Sequence, residues 1–289
     1  MKQLIFMASF TLLVALPGLH AQKKEFREMI KKEIAFSNQS DHTLIVKNVF
    51  GDITVEGYAG AQVVVEVEKI ISAKNQADLD LGKKELNLGV IEKTGQVVLY
   101  PDTPYADFDG ENLKFNWCNN HDEPSYGHIL NFKIKVPNKI HVNVSTVNDG
   151  EVTVKNTRGD VVSAENINGG ITLTDITGTT KVHCINGDVN ISYAANPRNA
   201  STYYSLNGDI TIAYQKALSA SISFKSMNGE LYTDFDVNKQ FMKTDKTMGT
   251  GNKPKYRFEA KPVVQIGSGQ VDHDFETLNG NVFIKKNKS

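Results

Sequence analysis

Apolar and polar residues alternate along most of this chain, and the alternation is repeatedly interrupted by Asn-Gly. Ile167-Asn168-Gly169-Gly170-Ile171-Thr172-Leu173, Ile185-Asn186-Gly187-Asp188-Val189-Asn190-Ile191 and Leu206-Asn207-Gly208-Asp209-Ile210-Thr211-Ile212 share one pattern. Met227-Asn228-Gly229-Glu230-Leu231 and Leu278-Asn279-Gly280-Asn281-Val282 follow it, Asn148-Asp149-Gly150-Glu151-Val152 is a variant, and Phe50-Gly51-Asp52-Ile53 is a distant copy. From Gly150 the turn glycines step by 19, 18, 21 and 21 residues to Gly229, with Gly159 and Gly178 near the half-steps. Alternating pairs such as Ile171/Leu173 and Ile210/Ile212 read as half-buried strands. Asn-Gly supplies the positive φ angles that tight turns use. Strand, turn, strand, turn in about twenty residues is one coil of a β-solenoid, in which each residue lies on its equivalent.

A single coil cannot hold itself, because its few inward side chains do not offset the cost of ordering twenty backbone units. Only a stack can. The columns agree with stacking: Asn168, Asn186, Asn207 and Asn228 can form a side-chain ladder, and three residues before each glycine stand small or polar residues, Asn166, Cys184, Ser205, Ser226 and Thr277. Cys184 is thereby expected to be a buried structural residue. The predicted class is mostly β: a parallel β-solenoid with Asn-Gly turns, one short helix and two long irregular loops.

Around the repeats the pattern changes. Residues 4–16 are uncharged behind Lys2, Pro17-Gly18 breaks the run, and it ends at Ala21. That is the layout of a secretory signal, too short to span a bilayer, so residues 1–21 are expected to be removed on export. A lead-in covers 22–40. Residues 41–137 form an N-terminal β region, with a helix expected within 72–88 and an irregular loop at 101–128. Repeats cover 138–284 with an irregular insertion at 236–262, and a basic tail covers 285–289. Export permits disulfides, but Cys118 and Cys184 alone make no disulfide framework.

The order of Val136-Pro137, Val142 to Val144 and the Asn-Gly-[Asp/Glu]-[Ile/Val] turns, with Val49 to Gly57 and Thr277 to Val282 at the ends, resembles the DUF4097 family of β-strand-repeat adhesins. The resemblance spans about residues 41–284. It implies a β-solenoid secreted by, or held in, a bacterial cell envelope, and supplies no catalytic residues.

Charge and candidate chemistry refine this picture. Lys+Arg total 32 and Asp+Glu 33, a net −1 that argues against nucleic acid as partner. The balance hides two patches: loop 101–128 carries −5 and residues 239–262 carry +5. The acidic loop also holds Tyr105, Phe108, Trp117 and Tyr126, the candidate ligand-binding residues, since aromatics on a long loop suit sugar or protein contacts. The competing expectation is that they close one end of the solenoid. The basic segment suits acidic polysaccharide or lipid headgroups, or is simply solvated.

Asp188, Asp209 and Glu230 are expected as a solvated acidic ridge, Arg158-Gly159-Asp160 as a turn that happens to spell an integrin tripeptide, and Cys118, His121 and His128 as loop residues without a zinc pattern. No metal or other cofactor is expected. A nucleophile elbow, a phosphate loop and a zinc-protease helix are all missing. The sequence therefore points to non-catalytic, adhesin-like binding or surface display, its partner an unknown glycan or an envelope or surface protein. A structural or sensory periplasmic protein is the second reading and a carbohydrate-active enzyme the third.

Overall fold

A computed structural model describes residues 23–36, 42–117, 123–248 and 256–287, with the side chains of 117, 245–248 and 256–260 left out. Residues 1–21, expected as a secretory signal, and Cys118 and His121 lie outside the described residues. In chain order the N-terminal region holds β1 (Lys24–Ala35), β2 (Thr43–Lys47), β3 (Ile53–Tyr58), β4 (Gln62–Ala73), α1 (Gln76–Glu85), β5 (Asn87–Lys93), β6 (Gln96–Asp102), β7 (Ala106–Asp109), β8 (Lys114–Trp117) and β9 (Gly127–Pro137). The repeats follow as β10 (His141–Thr146), β11 (Val152–Lys155), β12 (Val161–Asn168), β13 (Ile171–Ile176), β14 (Thr179–Asn186), β15 (Val189–Tyr193), β16 (Ser201–Asn207), β17 (Ile210–Tyr214), β18 (Ala220–Lys225) and β19 (Leu231–Thr233). The chain ends with β20 (Val237–Met248), β21 (Tyr256–Ile266), β22 (Val271–Asn279) and β23 (Val282–Lys286).

Two large sheets face each other across one apolar core. One has the order β1-β4-β9-β3-β11-β13-β15-β17-β23-β19, and the other β20-β21-β18-β22-β16-β14-β12-β10-β2-β6-β5. Successive repeats pair in parallel and in register. In the first sheet Ile53, Val152, Ile171, Val189, Ile210, Val282 and Leu231 form one column, and in the second Val46, Val144, Ala164, Val182, Tyr203, Phe275 and Phe224 form another. Both columns point inward, and all but Leu231 and Phe224 at the far end are buried.

The sheets are mixed, which corrects the expectation of a wholly parallel solenoid. β1, β4 and β9 pair antiparallel at one end, as do β5 with β6, and β18, β21 and β20 pair antiparallel at the other. Neither long loop is irregular throughout. Segment 101–128 contains the β7–β8 hairpin, and the basic insertion is the long β20–β21 hairpin. The lead-in contains β1, and the helix is α1, capped by the Asn75 side chain accepting from the Asp78 N–H at 2.9 Å.

The coils do not stack in chain order. β22–β23, last in the sequence, sit between β16–β17 and β18–β19, and β2–β3 stack directly on β10–β11 across an excursion of some eighty residues. The asparagine ladder follows the spatial order. Asn168 donates to Asn148, Asn186 to Asn168, Asn207 to Asn186, Asn279 to Asn207 and Asn228 to Asn279, all at 2.7–2.9 Å.

Glycine serves these turns for a different reason from the expected one. Of the seven glycines that follow or align with the Asn-Gly motif, from Gly51 and Gly150 to Gly280, only Gly51 and Gly169 have positive φ, whereas Gly178 at a half-step also does. At Gly208 an added Cβ would lie 2.1 Å from the Gly187 carbonyl oxygen of the coil beneath, a contact that backbone cannot avoid. Close approach of stacked turns, not handedness, selects glycine there.

The small polar column three residues before the glycine is buried and satisfies turn carbonyls. Asn166 Nδ2 donates to the Gly150 and Gly170 oxygens at 2.9 and 3.0 Å, Cys184 Sγ to Gly169 and Gly187 at 3.3 Å, and Ser205 Oγ to Gly187 at 3.0 Å. Cys184 is a free thiol, raised to about 11 first by burial and then by Glu151 and Asp188. Deeper in the core, the Tyr203 hydroxyl meets those of Tyr193 at 2.6 Å and Tyr214 at 3.1 Å, and the His273 ring stacks on Tyr214 at 5.5 Å.

Candidate functional site

In a stacked fold the outward positions of each strand also form rows, and one such pair of rows builds a groove. On the second sheet, Ser163, Lys181, Thr202 and Asp274 are directly paired across β12, β14, β16 and β22. Two residues along, Glu165, His183, Tyr204 and Glu276 are paired in the same way. β21 adds Lys261 to the wall. Together they line a groove of about 430 Å³, within the size range of small-ligand sites.

Its chemistry is that of a polar face with an aromatic step. The His183 and Tyr204 rings lie 4.7 Å apart, tilted by 36°. Glu276 pairs with Lys225 of β18 at 3.1 Å, and Asp274 accepts the Ser223 hydroxyl hydrogen bond. Carboxylates, the ammonium groups of Lys181 and Lys261, hydroxyls and two rings thus line one face of the sheet. Such a surface can hydrogen-bond and stack against a hydroxyl-rich ligand.

The residues singled out from the sequence lie elsewhere, at the N-terminal end. Tyr126 is buried and donates to Glu85 Oε2 at 2.9 Å; burial first, then that bond, raises its phenol well above the usual range. Tyr105 is half-buried against the core, its hydroxyl 2.7 Å from His128 Nε2, and burial raises its phenol also. His128 is lowered to about 4 by burial. Phe108, on the β7–β8 hairpin, stacks on Tyr100 at 4.2 Å and lies 5.1 Å from Phe115. The Trp117 backbone pairs with Ala106, and its side chain lies outside the described residues. Tyr105 and Tyr126 therefore share a cluster around His128, whereas Phe108 belongs to a separate ring stack.

The turn acids form a second ladder. Asp209 N–H donates to Asp188 Oδ1 at 2.9 Å, Asn281 N–H to Asp209 Oδ1 at 2.7 Å and Glu230 N–H to Asn281 Oδ1 at 3.0 Å. Asn281 thus separates Asp209 from Glu230, and the acids act as turn acceptors. Arg158 is held by Asp175, with 2.5 Å between Nη2 and Oδ2. Among the described residues no cluster of three or more His, Cys, Asp or Glu is arranged to hold a metal, and no helix is long and apolar enough to cross a membrane.

The groove row could have been found from the sequence. Its members stand at the fourth position before successive turn glycines: Glu165, His183, Tyr204 and Glu276.

The family model described as Toastrack DUF4097 matches residues 25–272. No curated protein matches. Among solved structures, a provisionally named cell adhesion protein from Clostridium sporogenes is similar at 13% identity and a TM-score of 0.45, over 91% of this chain and 100% of that one. A provisionally named adhesin from Bacteroides fragilis gives 10% and 0.32, over 89% and 97%. A provisionally named lipid binding protein from Parabacteroides distasonis gives 12% and 0.27, over 90% and 97%.

Proposed function

This chain belongs to the Toastrack DUF4097 family, and on that footing we propose that it is an exported, non-catalytic binding protein of a bacterial cell envelope. Its ligand-binding surface is the groove across β12, β14, β16 and β22, and the ligand class is glycan. The observation that carries this reading is the His183–Tyr204 ring pair at 4.7 Å, set between Glu165 and Glu276 in one row and beside Lys181, Thr202 and Asp274 in the next. Sugar rings present both an apolar face for stacking and hydroxyls for carboxylate and ammonium partners.

In this reading Tyr105 and Tyr126 serve to close the N-terminal end of the stack, supported by their burial and their bonds to His128 and Glu85. Phe108, stacked on Tyr100 on the β7–β8 hairpin, is a second contact point, with Trp117 on the same hairpin. Parallel coils with Asn-Gly turns act as a rigid frame that presents equivalent positions at regular spacing.

A glycan array probed with the chain from Gln22 onward tests the proposal. Selective binding that is lost in Tyr204→Ala and His183→Ala is the expected result. Array silence together with a co-purifying envelope protein favours the structural or sensory role, and release of product from any glycan overturns the non-catalytic assignment.

A further inference from the structure

The Asn-Gly pairs that turn each coil also carry a reaction of their own. In such a pair the glycine nitrogen can attack the asparagine side-chain carbonyl carbon, forming an N–Cγ bond. The N–H proton passes to base, the Cγ–Nδ2 bond breaks, and ammonia leaves behind a five-membered succinimide. Water then opens the ring to aspartate or isoaspartate. Glycine favours closure because it carries no side chain to hinder the approach. Asn168, Asn186, Asn207, Asn228 and Asn279 are all exposed, and each follows Ile, Leu or Met, so neither solvent access nor local sequence separates them.

Hydrogen bonding does separate them. Ring closure needs the side chain to rotate toward the next backbone amide, and that amide to be released. Asn168, Asn186 and Asn207 are held at both ends of the side chain, donating to one neighbouring coil and accepting from the other. Their glycines are held too: the Gly169, Gly187 and Gly208 N–H groups each donate to an asparagine carbonyl oxygen of the next coil at 3.1 Å. Asn279 is fixed at both ends by Asn207 and Asn228. Asn228 ends the ladder. Its Nδ2 donates to Asn279 at 2.8 Å, but among the described residues nothing donates to its Oδ1, and the Gly229 N–H has no acceptor. The cause is topological: β21 pairs with β18 only as far as Ser223, and β19 is the edge of its sheet, so no turn stacks on this one.

We propose that Asn228 is a site of spontaneous, irreversible modification: it deamidates before the other ladder asparagines, and the carboxylate it leaves unlocks the last coil. Every amide in the ladder donates in the same direction, so Asn279 cannot turn its Nδ2 toward position 228 without giving up Asn207. The new carboxylate therefore faces the Asn279 Oδ1, an acceptor against an acceptor. β19, three residues long and at the sheet edge beside β23, follows directly from that turn and opens with it.

Peptide mapping by mass spectrometry tests the assignment, on the folded chain held at mildly alkaline pH and sampled over weeks. Asn168, Asn186 and Asn207 must each break two hydrogen bonds that Asn228 lacks, so Asn228 is expected to convert about tenfold or more faster, with Asn279 between. In urea, where the ladder is gone, the five rates should converge. Another asparagine converting first in the folded chain, equal rates there, or an order that persists in urea overturns the proposal. Amide hydrogen exchange of Asn228→Asp reads the consequence. Protection lost in β19 and kept in β12 and β14 supports the unlocking, and native protection in β19 overturns it.

Discussion

Asn228 donates its side-chain amide to Asn279 Oδ1 at 2.8 Å, although the two residues are 51 apart in the chain. The bond records how the stack is assembled: the last coil of the sequence is the next-to-last coil in space. β22 pairs with β16 on one side and β18 on the other, and it supplies Asp274 and Glu276 to the groove.

Truncation should therefore damage the middle of the stack and not merely trim an end. Ending the chain at Gly269 removes β22 and β23 and leaves β16 and β18 without their shared partner. The expected result is lost protection of β16–β19 in amide hydrogen exchange, with cooperative unfolding replaced by a broad transition. Unchanged protection in β18 would contradict the stacking order.

Turn glycines should divide by what lies beneath them. Gly208→Ala pushes a methyl into the Gly187 carbonyl oxygen, 2.1 Å away, and is expected to destabilise by about 2–4 kcal/mol. At Gly60 the three nearest atoms to an added Cβ all belong to the half-exposed Tyr58 ring, which can turn aside by giving up its exposed hydrogen bond to the Gln62 carbonyl, so Gly60→Ala should cost about 1 kcal/mol. Urea unfolding of the two variants measures the difference.

Acid should weaken the fold through its buried histidines. His273, buried beside Tyr203 and Tyr214, and His128, beside Tyr105, Tyr126 and Phe50, are both lowered to about 4, chiefly by burial. Asp272 and Asp274 oppose the shift at His273 without cancelling it. Each folded-state value lies below the unfolded value near 6.5, so the unfolded chain binds more protons between them. The contribution is fully present above about pH 6.5, falls as pH drops toward 4, and then levels off. Within that window each histidine removes about 1.4 kcal/mol per pH unit. Denaturant midpoints from pH 7 to 4 should show this slope, and His273→Phe should reduce it.

Cys184 should be silent to thiol reagents in the native state. Its sulfur is buried and its pKa is raised to about 11, so little thiolate forms at neutral pH. Ellman's reagent should modify Cys184 only after denaturation, in a chain carrying Cys118→Ser. Rapid native reaction would contradict the packing.

Much of this architecture was readable from columns of equivalent residues, because parallel in-register stacking makes each coil constrain the next. The asparagine ladder, the strands around each turn and the buried position of Cys184 came directly from those columns. β1 was not readable: Phe26, Ile30 and Ile34 recur every fourth residue, a spacing shared by helix and strand, and only Ile34 is fully buried. The place of the last coil was not readable either, since the 51-residue gap before Gly280 looks like an insertion in a linear array. Tyr105, Phe108, Trp117 and Tyr126 stood out because aromatics cluster there, but composition does not separate a buried phenol such as Tyr126 from an exposed one. The groove residues are dispersed over more than a hundred positions, from Ser163 to Glu276, and in the sequence only their fixed distance before each turn glycine links them.

The most direct test of that assembly is disulfide trapping in a chain carrying Cys118→Ser and Cys184→Ser. Paired strands lie about 4.8 Å apart, within disulfide reach, whereas strands separated by another lie about 9.6 Å apart, beyond it. Asn207→Cys with Asn279→Cys should oxidise to an intramolecular disulfide under native conditions, and Asn207→Cys with Asn228→Cys should not. The reverse outcome, a 207–228 bridge with 279 free, would contradict the inserted coil and with it the groove that Asp274 and Glu276 complete.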